Sequence, residues 1–300
     1  MVRLESWKAL LEEIMRNSKN EWCKDFDACP LDDILLNIDG YSSSRSKLPW
    51  MKYDDWAFKA ALASMSDVVV SGGRPYALLY SVGVTDENIL KSISIGMGKA
   101  SDYLKSSILK GDTNKSTNDS WIDVVSIGKI NNKRYVNRKG AKPGDYLIQI
   151  GYLGYGTLSQ MLLENRIKID NINDKLLRKT IIPDFQIDAW VPIYKYGTSS
   201  SDNSDGWVST IYNIIDSSKV KVVLDAIEID PLLKDLMNNE DALNSWEDYN
   251  FAVTTSEENL DDFLEECTRL NIRCFVVGKI EEGYGLYYNN NRIENFGWTW

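Results

Sequence analysis

Apolar residues recur along this chain with two different spacings. Where they lie three or four positions apart they predict amphipathic helices, and short runs rich in valine, isoleucine and leucine predict buried strands. The predicted helices cover residues 4–17, 53–71, 86–107, 157–163, 206–215 and 260–270. The predicted strands cover residues 33–39, 76–84, 121–130, 146–154, 220–227 and 273–280, where the fourth includes a glycine turn. This alternation predicts an α/β or α+β layer fold.

Glycine and proline mark the breaks between these segments. Gly72 and Gly73, followed by Pro75, end the helix that begins near residue 53. The segment GAKPGD at 140–145 leads into a new strand, and we predict domains of residues 1–139 and 140–300 on either side of it. The glycine turn after that strand is compatible with an anion site at a helix N-terminus and with an ordinary strand-to-helix connection.

Composition narrows the range of functions. The chain has 300 residues, of which 43% are hydrophobic, and a net charge of −10, so it can bury a large core. No basic stripe is visible, which argues against a nucleic-acid partner. The chain contains no run of about eighteen apolar residues that could span a membrane. Glutamates interrupt the amphipathic N-terminus, so it does not resemble a signal peptide. We therefore expect a cytoplasmic protein.

The chain has four cysteines and no histidine. Cys23, Cys29, Cys267 and Cys274 form no CxxC pair, which favours buried free thiols over a metal site or disulfides. The absence of histidine excludes a Ser-His-Asp triad, a histidine base and a histidine-ligated zinc site. Phosphoryl transfer remains possible, because it depends mainly on positioning and on neutralising charge.

Acidic residues in short motifs carry the strongest chemical signal. Each of them follows or ends an apolar stretch beside small residues: Asp27, Asp39, Asp67, Asp112, Asp202 and Asp205. Converging carboxylates are typical of sites that hold Mg²⁺ against a polyphosphate. A single aspartate in a turn is more often a capping or turn residue, and Asp205 or Ser204 could cap the helix that follows.

The order of these motifs resembles the thiamine-monophosphate kinase family, within the superfamily of aminoimidazole-ribotide synthetase-like enzymes. The matching segments are DFDACPL at 25–31, LLNID ending at Asp39, SMSDVVVSGGRP at 64–75, KGDT at 110–113, NRKGAKPGD at 137–145, DNSDGW at 202–207, WEDYNF at 246–251 and GWTW at 297–300. The resemblance covers about residues 20–300. It implies a two-domain fold whose N-terminal domain forms a barrel across a homodimer.

The resemblance also implies a role for each motif. The six aspartates would bind Mg²⁺, while Gly111, Asp112, Arg138 and Ser204 would bind ATP. Ser46, Glu247 and Trp298 would bind thiamine phosphate, with Trp298 beside a cationic or aromatic ring. Trp298 could also be an ordinary core residue. No side chain would act as a nucleophile, because Mg²⁺ and Arg138 would position the reactants.

The departures from the family lie mostly on the acceptor side. One carboxylate of the family's first motif is replaced by Phe26, and Lys110 replaces a glycine. The family's GxHF segment is absent, and Arg45, Ser46 and Lys47 stand in its place. These three residues could donate hydrogen bonds to the phosphate of the acceptor. Two alternatives stay open: a related ATP-dependent enzyme with another phosphorylated acceptor, or a non-catalytic nucleotide-binding paralogue. The chain lacks the reactive cysteine setting of selenophosphate synthetase and the cysteine tail of the hydrogenase-maturation relatives.

Overall fold

The computed structural model describes residue 13, residue 23 and residues 25–295, which form two sheets with helices packed on them. The strands are β1 (Cys29–Leu31), β2 (Ile34–Ser42), β3 (Arg74–Val84), β4 (Ser107–Lys115), β5 (Trp121–Lys129), β6 (Tyr146–Ile150), β7 (Gly197–Asp202), β8 (Lys221–Leu224), β9 (Phe251–Thr255), β10 (Cys274–Glu281), β11 (Gly285–Tyr288) and β12 (Asn291–Ile293). The helices are α1 (Ser43–Ser46), α2 (Tyr53–Val70), α3 (Glu87–Tyr103), α4 (Tyr155–Leu163), α5 (Asp174–Ile181), α6 (Trp190–Tyr196), α7 (Trp207–Ser218), α8 (Asn239–Ala242) and α9 (Leu260–Arg269). Short 3-10 turns lie at Ile169–Asn171, Ile187–Ala189, Pro231–Leu233 and Glu257–Asn259. Apart from residue 13, the predicted helix at 4–17 lies outside the described residues.

The first sheet has five strands in the order β1-β2-β5-β3-β4. Its strands pair antiparallel except for β3 and β4, which are parallel and connected by α3. In β5 buried and half-buried residues alternate, as expected for a strand with one face in the core. Ile122 and Val124 lie on the buried face, and Asp123 and Val125 lie on the opposite face.

The second sheet has seven strands in the order β12-β11-β8-β10-β6-β9-β7. Only the β8–β11 pair is parallel, and the other described pairs are antiparallel. Helix α7 packs against β7, β8 and β11. The mixed α/β fold predicted from the sequence is confirmed.

Helix α2 lies between the two sheets. Fifteen of its 18 residues are buried, and it contacts β2, β3 and β5 of the first sheet and β7 of the second. Many of the buried side chains are alanine or serine, so the strands approach the helix closely. The helix ends as predicted, since Gly72 has a φ of +79° and the Gly73 N–H bonds to the Val68 carbonyl. Because α2 touches both sheets, a side chain on it can meet residues from both halves of the chain.

Two segments differ from the sequence predictions. The predicted helix at 86–107 ends at Tyr103, and Ser107–Lys115 forms the edge strand β4, whose nine residues are all exposed. The polar stretch that begins at Ser199 is not among the predicted strands, yet Gly197–Asp202 forms the largely buried strand β7. Its hydroxyl groups are hydrogen-bonded; Ser200, for example, donates to the Val70 carbonyl. Buried serines that find partners give no apolar signal in a sequence.

The prediction of free thiols is wrong. The structure pairs Cys23 with Cys29 and Cys267 with Cys274, with Cα–Cα distances of 5.6 Å and 6.4 Å. Each pair is only six or seven residues apart in sequence, and a change of chain direction brings the two cysteines together. Spacing without a CxxC pattern could not reveal this.

All strands of the first sheet come before residue 140, and all strands of the second come after it. A domain boundary at residue 140 remains a prediction. One cluster of buried apolar residues includes Leu78 and Val124 from the first sheet and Ile148 and Phe251 from the second. The two halves therefore share part of their core. Among the described residues, no helix is both long and apolar enough to cross a membrane.

Candidate active site

Three aspartates from distant parts of the sequence converge beside α2. Asp67 lies on α2, Asp202 ends β7, and Asp27 lies just before β1. One carboxylate oxygen from each lies within 4.8 Å of the other two. The position of α2 between the sheets explains how carboxylates 175 positions apart in the sequence come to share one place.

Asn37 connects Asp39 to this group. Asn37 and Asp39 are two residues apart on β2, so both side chains point to the same face of the strand. The Asn37 amide donates to Asp39 at 2.9 Å, to Asp67 at 2.5 Å and to the Ser64 carbonyl at 3.3 Å. The amide therefore fixes the spacing of two carboxylates that would otherwise repel each other.

Two further groups orient the cluster. The Arg138 guanidinium donates to one Asp27 oxygen from Nε at 3.0 Å and from Nη2 at 2.7 Å. The Ser66 hydroxyl donates to Asp202 at 2.5 Å. The second oxygen of Asp27, Oδ2, is buried and has no hydrogen-bond partner among the described residues. An unpaired buried carboxylate oxygen beside two other carboxylates suits a hard divalent cation, so these residues fit Mg²⁺.

The carboxylates resist ionisation in the absence of a cation. Burial raises the pKa of Asp67 well above its usual range, and the Asp202 and Asp39 carboxylates raise it further. Burial also raises the pKa of Asp202, to about 8, with Asp27 as the next cause. The pKa of Asp39 is raised mainly by burial, although hydrogen bonds within the cluster oppose the shift. A bound cation would remove this penalty by pairing with the charged forms.

The same surroundings favour the charged form of Arg138, whereas they favour the neutral form of the aspartates. Burial alone would lower the pKa of its guanidinium, but Asp27, and after it Asp202 and Asp67, leave the pKa raised. Arg138 therefore carries a firm positive charge at the wall of the cluster.

A cavity of about 400 Å³, which we call the acid cavity, opens onto this cluster. Its charged lining consists of Asp39, Asp67, Asp202, Asp205, Glu247, Arg45 and Arg138. Ser204 lines it as well. Neither Ser204 nor Asp205 caps α7: the N-cap is Gly206, whose N–H donates to Asn203. Their side chains are therefore available to the cavity.

Glu247 lies at the edge of the acid cavity and is held by two partners. The Lys59 ammonium, which is buried on α2, lies 2.7 Å from one Glu247 oxygen. The Tyr41 hydroxyl donates to the other oxygen at 3.0 Å and also contacts the Tyr249 hydroxyl. Burial, and then the Glu247 charge, raise the pKa of both tyrosines, so they remain protonated donors.

The backbone around Glu247 is strained and anchored. Glu247 and Tyr249 have φ angles of +51° and +48°, which non-glycine residues seldom adopt. Asp248, between them, accepts hydrogen bonds from the Gly154 and Gly156 N–H groups at the start of α4. This carboxylate already occupies the predicted glycine turn, so the ordinary connection is favoured there over an anion site.

A second, smaller cavity of about 110 Å³ adjoins the first. Leu48, Leu163 and Trp246 give it a mostly apolar wall, and we call it the apolar cavity. Trp246 adds an aromatic surface to this wall.

The structure does not bring Gly111 and Asp112 to this site within one chain. Both are exposed on β4, where Asp112 accepts a hydrogen bond from Asn114. Across the sheet Asp39 aligns with Val124, then Tyr80, then Gly111. Three strand spacings separate Gly111 from Asp39 by roughly 14 Å. Trp298 lies outside the described residues.

Comparison with known proteins identifies the family. A relative from Pyrococcus horikoshii named thiamine-monophosphate kinase is 30% identical over 266 residues, which cover 85% of this chain and 82% of that relative. The chain belongs to the thiamine-monophosphate kinase family. A thiamine-monophosphate kinase from Aquifex aeolicus is 27% identical over 282 residues, covering 88% of this chain and 87% of the relative.

Family and structural matches agree with this assignment. Residues 27–130 match the family described as AIR synthase related protein, N-terminal domain. A solved structure described as AaThiL complexed with AMPPCP and TMP has a TM-score of 0.84 and 25% identity, covering all of this chain and 99% of its own. A structure of thiamine monophosphate kinase from Aquifex aeolicus has a TM-score of 0.80 and 25% identity, covering 97% and 99%. The thiamine-monophosphate kinases are phosphotransferases.

Several side chains in this thiamine-monophosphate kinase fold were missed by the sequence interpretation. Asn37 could have been found from the N-x-D spacing on one strand face. Lys59 is the one lysine or arginine within α2, which is otherwise small and apolar over most of its length, and such a residue signals a buried ion pair. Tyr41 carries no sequence signal, because its contact with Tyr249 depends on the packing of β2 against the loop that holds Glu247.

Proposed function

We propose that this chain transfers the γ-phosphoryl group of ATP to thiamine monophosphate, giving ADP and thiamine diphosphate. The observation that carries the proposal is the convergence of Asp27, Asp67 and Asp202, of which Asp67 and Asp202 line the acid cavity, with an apolar cavity beside it. Family membership supports the same reaction, as does the similar fold solved with AMPPCP and TMP. Because the reaction consumes ATP, we place it in the cytoplasm.

The carboxylates would hold Mg²⁺. Asp27, Asp39, Asp67, Asp202 and Asp205 line or adjoin one place, and Asp27 Oδ2 has no other partner among the described residues. When bound there, Mg²⁺ would neutralise the charge on the phosphates of both reactants. Around it, Asn37 and Ser66 keep the carboxylates in position, and Arg138 adds a fixed positive charge.

Arg138 and Ser204 would bind the ATP phosphates. Arg138 uses Nε and Nη2 on Asp27, which leaves Nη1 for a ligand at the wall of the acid cavity. No protein nucleophile or base is needed, because a phosphomonoester is already an anion near neutral pH. The role of the protein is to orient two anionic groups that would otherwise repel each other.

The acceptor would occupy the apolar cavity with its ring system and reach the acid cavity with its phosphate. Glu247 lies at the boundary, where it would face the polar edge of the ring system. Ser46 lies there too, although its hydroxyl donates to the Ser42 carbonyl and accepts from Trp56. Trp298 would cover the ring from the C-terminal segment, as the family resemblance implies.

We also propose a homodimer formed through the first sheet. The face of that sheet turned away from α2 carries Ile38, which is 64% exposed, and the half-buried Leu36, Leu79 and Val125. Strand β4 is a fully exposed edge, and such edges tend to pair with another chain. A two-fold arrangement of two open sheets would form the barrel that the resemblance implies. It would also let Gly111 and Asp112 serve the site of the partner.

An ADP-release assay over a panel of phosphorylated acceptors tests the proposed function. We expect Mg²⁺-dependent ADP formation with thiamine monophosphate, in equal amount to the thiamine diphosphate detected by chromatography. Turnover with a different acceptor would favour another enzyme of the superfamily. ATP binding without turnover on any acceptor would favour the non-catalytic paralogue.

A further inference from the structure

The acid and apolar cavities share a set of residues that marks the boundary between them. The residues that line both are Arg45, Ser46, Ser204, Asp205 and Glu247. On the proposed function, an acceptor with an aromatic ring system and a phosphate must cross this boundary. Its phosphate would therefore pass next to these five side chains.

Arg45 is the only cation in this shared set. Asp205 and Glu247 are acidic, and the Ser46 hydroxyl already donates to the Ser42 carbonyl. Arg45 makes no ion pair or hydrogen bond through its side chain within the described residues, whereas Arg138 is paired with Asp27 and lines only the acid cavity. An exposed guanidinium with unused donors at this place suits an incoming phosphate.

The short helix that carries Arg45 is fixed to the first sheet. Asp119, from the loop before β5, accepts hydrogen bonds from the Ser43 hydroxyl and from the Ser44 N–H and hydroxyl. The Ser46 hydroxyl, which bonds to Ser42 and Trp56, holds the other end of the helix. Contacts on both sides of Arg45 thus set its backbone position.

We propose that Arg45 binds the phosphate of the acceptor and so makes the chain selective for phosphorylated over unphosphorylated acceptors. The inference rests on the proposed function and assigns a recognition residue within it. A guanidinium can donate two parallel hydrogen bonds to phosphate oxygens, which an ammonium group cannot do. We assign Arg45 to the acceptor because it lines both cavities, whereas Arg138, the cation assigned to ATP, lines only the acid cavity.

Binding measurements on Arg45→Met test this role. Calorimetry would compare thiamine monophosphate with unphosphorylated thiamine, each in the presence of Mg²⁺ and a non-hydrolysable ATP analogue. We expect the variant to lose about 10- to 100-fold in affinity for thiamine monophosphate, typical of one charge-assisted phosphate contact. Its affinity for thiamine should change less than about twofold. Arg45→Lys should recover part of the loss, because it keeps the charge without the fork.

Lys47→Met is the matched control. It removes the same charge two residues away. The sequence also suggested Lys47 as a donor to the acceptor phosphate, but in the structure Lys47 bonds to the Met51 carbonyl, lies over the Tyr53 ring and lines neither cavity. We expect unchanged affinity for both ligands. An equal loss with both ligands in Arg45→Met, or no loss, would overturn the inference. So would a wild-type protein that binds thiamine monophosphate no more tightly than thiamine. Absence of turnover by a wild type that binds selectively would instead contradict only the proposed function.

Discussion

At the scale of single residues, the acid cavity is a place where stability is given up for a ligand. Asp67 and Asp202 are buried among other carboxylates, and burial and mutual repulsion raise the pKa of each. A group whose pKa is higher in the folded state than in the unfolded state stabilises the fold fully only below its unfolded pKa. That stabilisation is lost as the pH rises through the folded value. The metal-free protein should therefore be weakened near neutral pH by its own site.

Asp202→Asn should stabilise the metal-free protein at high pH. Asparagine cannot ionise but keeps an oxygen to accept the Ser66 hydrogen bond. The pKa of Asp202 is raised to about 8, so the advantage of the variant should grow between pH 5 and pH 8. At pH 8 we expect calorimetry to show a Tm several degrees higher for the variant than for the wild type.

Magnesium should reverse this order. Wild-type Tm should rise with Mg²⁺, because a ligand that binds only the folded state stabilises it, and the variant should respond much less. The exposed Asp235 offers a control, since Asp235→Asn should leave both the pH profile and the Mg²⁺ response unchanged. A variant that matches wild type at every pH would contradict the idea that Asp202 carries this penalty.

Lys59 illustrates a different residue-scale effect. Its buried ammonium pairs with Glu247 at 2.7 Å, and Glu247 is itself only 13% exposed. Lys59→Met should cost about 3 kcal/mol, because it leaves a nearly buried carboxylate without its counter-charge. Denaturant unfolding would measure the loss.

The double variant Lys59→Met/Glu247→Gln provides the control for this pair. It removes both charges, so it should recover a large part of the stability that Lys59→Met loses. If the double variant loses as much stability as Lys59→Met and Glu247→Gln lose together, the ion pair is not the reason for the burial of Lys59.

At the scale of elements, one carboxylate joins the loop of Glu247 to α4. Asp248 receives the N–H groups of Gly154 and Gly156 on its two oxygens, and the Ser245 hydroxyl adds a third bond. A Cβ at Gly156 would lie 1.9 Å from the Trp246 carbonyl oxygen, so the loop passes directly over the start of the helix. The strained residues on either side of Asp248 depend on this anchor to keep Glu247 at the cavity boundary.

Asp248→Asn should therefore loosen the site as well as the fold. The amide can accept on one side only, which leaves one buried N–H unpaired at a cost of about 1–3 kcal/mol. We expect a lower Tm, and in steady-state kinetics the KM for the acceptor should rise more than the KM for ATP. Asp86→Asn is the control, because Asp86 caps α3 at the surface and asparagine caps a helix equally well. Similar losses in the two variants would contradict the special role of Asp248.

Element by element, apolar periodicity predicted what lies in the core and little else. Strand β5 was predictable because its buried residues follow a two-residue period, and helix α2 was predictable because a long run of apolar and small residues ends at a glycine pair. Strands β4 and β7 were not, because one is exposed along its whole length and the other buries serines that find hydrogen-bond partners.

The candidate site divides in the same way. Asp27, Asp67 and Asp202 belong to short motifs, and the resemblance of those motifs to the family implied that the three carboxylates converge. Asn37, Lys59 and Tyr249 owe their place to the packing of α2, β2 and the Glu247 loop. Contacts between side chains distant in sequence leave no periodic pattern, so they required the structure.

At the scale of the whole molecule, the remaining question is where Asp112 acts. It lies on the outer strand of the first sheet, on the sheet face opposite to α2, about three strand spacings from β2. If a partner chain pairs with this edge, Asp112 would lie near the partner's β2 and near the acid cavity of the partner. The proposal of a shared site therefore makes Asp112 a residue that works across the dimer.

Complementation between two inactive variants tests that arrangement. Asp112→Asn alone should lower turnover by a factor on the order of 10², the usual cost of losing a charge-stabilising group. Asp202→Asn should be at least as impaired, because it removes a carboxylate from the cluster itself.

In a purified heterodimer of the two variants, carrying a different tag on each chain, one site would combine an intact Asp202 with the intact Asp112 of the other chain. That heterodimer should regain about half of the wild-type rate per dimer. If Asp112 served its own chain, both sites would stay defective and the heterodimer would remain inactive. A monomer by light scattering at micromolar concentration would contradict the dimer altogether, and near-normal turnover by Asp112→Asn would remove Asp112 from the site.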